Sequence, residues 1–127
     1  MRDRERGSVS IVVVALMAMA LVLAMGAADL ARVLTGAARA QTAADAAALA
    51  AAQELASASN AGVDPTDIAA VYAERNGAVL TSCSCDAGGS EAVVAVTVQV
   101  DALMLAPDDR VVTARARAVV ELAAAGP

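Results

Sequence analysis

The fold of this chain is decided by residues 9–56, which read VSIVVVALMAMALVLAMGAA over 9–28 and DLARVLTGAARAQTAADAAALAAAQELA over 29–56. The first stretch has twenty positions and no charged residue, which is enough for a helix to cross the ~30 Å hydrocarbon core of a membrane. The second stretch is rich in alanine, the strongest helix former, and only Gly26 and Gly36 interrupt the pattern. We therefore predict one continuous helix over about residues 8–58, on the order of 75 Å long.

The apolar stretch has two open interpretations. As a retained anchor it gives a transmembrane segment over 8–28, after a charged leader over 1–7. As a cleaved signal peptide it would be cut near the small residues around Gly26, although it is longer than the usual apolar region of about 7–15 residues. Three Arg precede it and two follow closely, which favours a cytoplasmic N-terminus and an extracytoplasmic C-terminal domain.

Composition limits the function classes. The chain has 127 residues, and 59% of them are hydrophobic, yet Tyr72 is the only aromatic residue. Residues 1–60 contain five acids and five Arg, whereas residues 61–127 contain nine acids and four Arg. An acidic distal part without a basic patch argues against nucleic acid as a partner.

Beyond the apolar stretch, the helix has a pattern suited to close packing. Asp29 and Arg32 are spaced i, i+3 and can pair on one face. Small residues recur around Ala44 and Ala48, which allows close approach of another helix. The open alternative is that alanine only makes the helix stable. We expect the alanine face to pack against neighbouring subunits, because a lone alanine helix has little apolar area to bury.

Several motifs together resemble the N-terminal region of TadE/TadG-like proteins, pilin-like subunits of the tight-adherence (Flp pilus) machinery. The resemblance covers residues 4–55 and rests on three motifs: Arg6-Gly7-Ser8-Val9-Ser10 before the apolar run, Gly26-x2-Asp29-x2-Arg32 after it, and Gln41-Thr42-Ala43-Ala44-Asp45-Ala46-Ala47-Ala48-Leu49-Ala50-Ala51-Ala52. The short length is similar to TadE-like proteins encoded beside secretion ATPases in high-GC Gram-positive bacteria.

The resemblance implies a membrane-anchored minor pseudopilin, without enzyme activity, cofactor, metal or small-molecule substrate. Its implied partners are other pilin-like subunits, secretion or pilus assembly proteins, and the lipid bilayer. Family motif residues would be Gly26, Asp29, Arg32, Gln41, Ala44, Asp45 and Ala48. The implied processing site lies between Gly7 and Ser8; the fifth position after Gly7, where pilin-type prepeptides usually carry Glu, is Val12.

The distal part predicts a small α+β domain over 61–127, after a helix continuation over 29–60. Asp64 as N-cap and Pro65 in the first turn begin a second helix that reaches about Arg75, with Ile68, Val71 and Tyr72 on one face. Alternating apolar residues then predict strands over about 78–85, 91–103 and 111–122. Short turns between them indicate a three-stranded antiparallel meander, with one face against a helix. This is also the general plan of a pilin.

Reactive chemistry is sparse. The chain has no His, Trp or Lys, so the usual general base, the commonest metal ligand and an amine nucleophile are missing. Cys83 and Cys85 are the remaining candidates. On a regular strand they would lie roughly 6–7 Å apart, so a disulfide between them requires a bend. A disulfide, two unpaired thiols, and a redox or metal role all remain open.

Overall fold

A computed structural model describes residues 3–57, 62–106 and 108–121 of the chain, with side chains from residue 9 onward. It contains helix α1 (Asp3–Ala56), helix α2 (Pro65–Arg75), and strands β1 (Val79–Ser84), β2 (Glu91–Val100) and β3 (Arg110–Val119). The α+β layout predicted from the sequence is confirmed. Gly7 lies within α1, but the predicted processing site lies outside the residues whose side chains are described.

Helix α1 is continuous over 54 residues, as predicted. No loop separates the apolar half from the alanine-rich half, because neither Gly26 nor Gly36 costs more than about 1 kcal/mol in a helix interior. The large apolar side chains of residues 9–25 are exposed along the whole first half. Its best 18-residue window has a mean hydropathy of 2.7 and no buried part, so its length and composition suit a membrane span.

Helix α2 begins where the sequence predicts. The Asp64 side chain accepts a hydrogen bond from the Thr66 N–H at 2.7 Å, and Pro65 occupies the first turn. Of the three residues predicted to share one face, Ile68 is only half-buried. Val71 and Tyr72 are exposed, and Ala69 and Ala73 are buried instead, because alanines on both helices allow α2 to approach α1 closely.

The three strands form an antiparallel sheet in the order β1-β2-β3. Alternate valines of β2 are buried as predicted: Val94, Val96, Val98 and Val100. Strand β3 turns its half-buried Val112 and Ala114 toward the core and its Arg115 and Arg117 to solvent. The sheet packs one face on α1, which contacts both β2 and β3.

Two strand ends differ from the prediction. Strand β2 ends at Val100 rather than at residue 103. The chain then turns at Ala102, a non-glycine residue with a φ of 60°, and the connection to β3 runs along α1. Strand β3 ends at Val119, and the predicted end near residue 122 lies outside the described residues.

The core between these layers is made mainly of alanine and valine. It combines the alanines of α1 with those of α2 and the valines of β2; the α1 members are Ala40, Ala43, Ala44, Ala47, Ala48, Ala51 and Ala52. Such small side chains place the helix axis close to the sheet. At Gly36 the approach leaves no room for a side chain, because an added Cβ would lie 2.5 Å from Val100 Cγ2.

Candidate assembly site on the N-terminal helix

The candidate site is the part of α1 that follows the apolar run, because most of the predicted motif residues lie there. They divide into three groups with different surroundings. Gly26, Asp29 and Arg32 face the connection between β2 and β3. Ala44 and Ala48 lie in the core. Gln41 and Asp45 lie on the exposed side of the helix.

Asp29 binds the backbone of the β2–β3 connection. Its carboxylate accepts the Met104 N–H at 2.8 Å and the Leu105 N–H at 2.8 Å. These two donors, above all that of Met104, hold the pKa of Asp29 below its ordinary value of 3.8; desolvation opposes them, and the charge of Arg32 adds to the lowering. Asp29 is therefore a charged acceptor that fixes two consecutive N–H groups.

Arg32 completes this arrangement from the next turn of the helix. Its Nη1 donates to the carbonyl oxygen of Ala102. The predicted pair with Asp29 is also present, at 3.8 Å between Nη1 and Oδ1, but this separation is longer than a hydrogen bond. The main partners of both side chains are backbone atoms of the connection. We call Asp29 and Arg32 with residues 102–105 the loop clamp.

Gly26 belongs to the same contact. An added Cβ at Gly26 would lie 3.6 Å from Leu105 Cδ1, so the side chain of Leu105 rests on the helix at this level. The motif Gly26-x2-Asp29-x2-Arg32 therefore places one small residue and two charged residues along a single contact with the β2–β3 connection. Sequence reasoning missed the loop partners, about 75 residues away, because side chain-to-backbone contacts leave no periodic pattern.

The prediction that the face of Ala44 and Ala48 packs against neighbouring subunits is wrong for these two residues. Their exposed fractions are 0% and 1%, and they contact the sheet and α2 of their own chain. The physical reason is that three strands and a short helix cover the part of the alanine face around Ala44 and Ala48.

Beyond the apolar run, α1 also carries exposed side chains outside its buried face. Leu30 and Leu34 are 59% and 61% exposed. Farther along the same side, Gln41 donates from Nε2 to Asp45 Oδ1 at 2.9 Å, an i, i+4 pair. We call Leu30, Leu34, Gln41 and Asp45 the outer stripe.

Cys83 and Cys85 are joined in a disulfide, with their Cα atoms 5.4 Å apart. Cys83 is on β1, and Cys85 follows the last strand residue, Ser84. A bulge between Leu80 and Ser82 shifts the register against β2, and the chain leaves the sheet after Ser84. The bulge precedes both cysteines, so it is the departure of the chain from the strand after Ser84 that allows the two residues to lie closer than on a regular strand. Among the described residues, no group of three or more His, Cys, Asp or Glu side chains is placed to bind a metal.

A comparison with known protein families finds a match in the same helix, α1. Residues 7–54 match the family Tad, whose description is "Putative Flp pilus-assembly TadE/G-like". The match lies within the N-terminal helix. The match confirms the resemblance inferred from the sequence and covers α1 nearly to its end at Ala56. Comparisons with curated proteins and with solved structures give no match.

The segment that matches the family, residues 7–54, contains two structurally different parts of α1. The match includes the exposed apolar half of α1, both charged residues of the loop clamp, the buried alanines and the outer stripe. It stops before α2 and the sheet. The matched segment is therefore apolar and exposed in its first half, and its second half is the central helix of a small α+β core.

Proposed function

We propose that this protein is a membrane-anchored, pilin-like minor pseudopilin, a structural subunit of a Flp-type pilus or a related secretion system. The observation that carries the proposal is the continuity of α1. A single helix is apolar and exposed over residues 9–25 and forms the core of a small domain farther along. A rigid helix that joins an apolar segment to a compact head suits a subunit that is held in a membrane and assembled with others.

The apolar half supports the anchor. Its large side chains point outward all around the helix, as expected for a helix surrounded by lipid. No other described element covers them. Carbonate extraction of membranes from the native bacterium tests this proposal. A retained anchor keeps the chain in the membrane pellet, whereas a soluble mature species that begins near Ala27 would overturn it.

The outer stripe supports the assembly part of the proposal. Since the alanine face is covered by the chain's own sheet, neighbouring pilin-like subunits would contact the exposed side of α1. Leu30 and Leu34 extend the exposed apolar surface beyond the membrane segment, and the Gln41–Asp45 pair provides a polar end. We propose the outer stripe as the surface for other pilin-like subunits or assembly proteins.

Topology follows from the charge distribution. Three Arg precede the apolar run and two follow it closely, so we propose a cytoplasmic N-terminus and an extracytoplasmic domain over 61–127. The Cys83–Cys85 disulfide is consistent with this orientation, because disulfides persist in oxidising compartments. A pilus-assembly family points to a structural role rather than an enzymatic one.

A secreted binding or adhesion protein is the second candidate function. It requires cleavage of the chain near Gly26 and release of the small α+β domain. Such a cut would fall directly beside the loop clamp, because Asp29 is three positions farther along. Mass spectrometry of the mature N-terminus distinguishes the two candidates.

A further inference from the structure

The β2–β3 connection exposes a short apolar tip. Met104 and Leu105 are 56% and 52% exposed, and Leu103 beside them is half-buried. Charged or polar residues flank the tip on both sides, including the exposed Asp101, Asp108 and Asp109. Three consecutive large apolar residues at the tip of an otherwise acidic connection are unexpected if the tip faces only water.

The position of the tip along α1 is fixed by its contacts. Leu105 lies against Gly26, and Gly26 is two residues before the end of the apolar run at Ala28. At 1.5 Å per residue, this contact is about 3 Å inside the end of the run. If the apolar run fills the hydrocarbon core, the side chain of Leu105 lies at the level of the lipid boundary.

The loop clamp makes such a position energetically accessible. Irregular backbone is costly in lipid because its N–H and C=O groups lose water. Here the N–H groups of Met104 and Leu105 are bound by the Asp29 carboxylate, and the carbonyl oxygen of Ala102 accepts from Arg32. Three polar backbone groups of the connection therefore have protein partners, while the side chains of Met104 and Leu105 remain exposed.

We propose that residues 103–105 form a second membrane contact, an apolar tip that inserts into the lipid interface beside the anchor helix. This inference rests on the proposed membrane anchor and deepens it. Two contacts with the bilayer, the helix and the tip, would restrict how the small domain tilts and rotates about α1. The flanking acids mean that insertion depends on apolar contact rather than on attraction to anionic lipid.

The absence of Trp from the chain permits a direct test. The full chain is reconstituted in phosphatidylcholine vesicles with one Trp at a time: M104W or L105W in the tip, L16W in the anchor, and L49W as an exposed control on α1. Brominated lipids quench Trp on contact. We expect M104W and L105W to emit at shorter wavelength than L49W and to lose on the order of half their fluorescence to bromines near the glycerol end of the chains.

The outcomes separate the two hypotheses. If L16W is not quenched, the anchor itself fails, and with it the proposed function. If L16W is quenched but M104W and L105W behave like L49W, the anchor stands and the lipid contact of the tip is overturned. Protection of M104W from acrylamide without bromine quenching would assign the tip to a protein contact and would also overturn the inference. Equal quenching in neutral and anionic vesicles is expected.

Discussion

Gly36 is a point of close contact between α1 and the sheet. Any side chain there would meet Val100, because even a Cβ would lie 2.5 Å from Val100 Cγ2. Valine is β-branched and cannot easily rotate away. Glycine at this position is therefore a packing requirement of the helix–sheet contact, and its cost in helix propensity is offset by that contact.

We predict that Gly36→Leu destabilises the folded domain by about 1–3 kcal/mol or more, the usual cost of overpacking a core. The matched control is Ala38→Leu, which adds the same side chain two residues away at an exposed position. Thermal unfolding followed by circular dichroism in detergent measures both variants. An equal melting temperature for the two would contradict the packing assigned to Gly36.

The ionised carboxylate of Asp29 accepts hydrogen bonds that hold the β2–β3 connection on α1. Met104 and Leu105 donate to its carboxylate, and its pKa lies below 3.8 in consequence. A lowered pKa in the folded state means that the stabilisation is present at neutral pH. It is lost as the pH falls through the lowered pKa.

We predict that the amide resonances of Met104 and Leu105 titrate together in proton–nitrogen NMR spectra, with a midpoint below pH 3.8. At neutral pH, Asp29→Ala should move both amide resonances toward their random-coil chemical shifts, because the two N–H groups then lose their acceptor. Asp45→Ala is the control, since Asp45 pairs only with the Gln41 side chain among the described hydrogen bonds. Titration at or above the ordinary value would argue against the clamp.

At the scale of elements, the helices and strands were predictable because their signals are local. The absence of Pro from residues 9–56 predicted α1, the Asp64-Pro65 cap predicted α2, and the alternating valines predicted β2. These patterns depend on neighbours within a few positions. They gave the order and type of every described element.

The faces and the long-range contacts were harder to predict. Alanine occurs on all sides of α1 and on α2, so the pattern does not mark which face is buried. Larger side chains such as Val71 and Tyr72 suggested the wrong face of α2, because close helix packing selects the smaller Ala69 and Ala73. Of the candidate site, the motif identified Asp29 and Arg32 but not the backbone they bind, since no periodicity connects α1 to residue 104.

The disulfide at the end of β1 can be tested by counting free thiols. Cys83 and Cys85 close a very short loop, so their disulfide restricts the unfolded chain only slightly and is worth about 1–2 kcal/mol in the chain-entropy account. We predict that the protein isolated from its own membrane without reductant takes up no maleimide when denatured, and two equivalents after reduction. The number of added maleimides is measured by mass spectrometry.

Labelling of an added cysteine also tests on which side of the membrane the small domain lies. A control variant with Ser82→Cys adds one exposed thiol on β1, which a membrane-impermeant maleimide reaches in intact cells only if the domain is extracytoplasmic. Two free thiols in the unmodified protein would exclude the disulfide in the cell. Labelling of the added Cys only after lysis would place the domain on the cytoplasmic side.

On the scale of the whole molecule, helix α1 presents three surfaces with different environments. Its first half is exposed and apolar, one side of its second half is buried under the sheet, and the other side carries the outer stripe. The core is thin because it is built from alanine and valine, so the domain adds little width to the helix. This thinness fits the proposal that neighbouring subunits meet through their outer stripes, because a bulkier domain would keep the helices apart.

The outer stripe therefore gives the last prediction, which separates an interface from a core. Leu34→Glu places a charge on a side chain that is 61% exposed and has no role in the core. We therefore expect an unchanged melting temperature and unchanged membrane insertion. Photo-crosslinking from residue 30 to partner subunits should be reduced. Ala48→Leu enlarges a side chain that is 1% exposed, so it should lower the melting temperature in isolated protein through overpacking. Val119→Glu, on the exposed face of β3, controls for added charge. Unchanged crosslinking in Leu34→Glu would mean that subunits meet elsewhere on the helix, and unchanged melting in Ala48→Leu would contradict the alanine core.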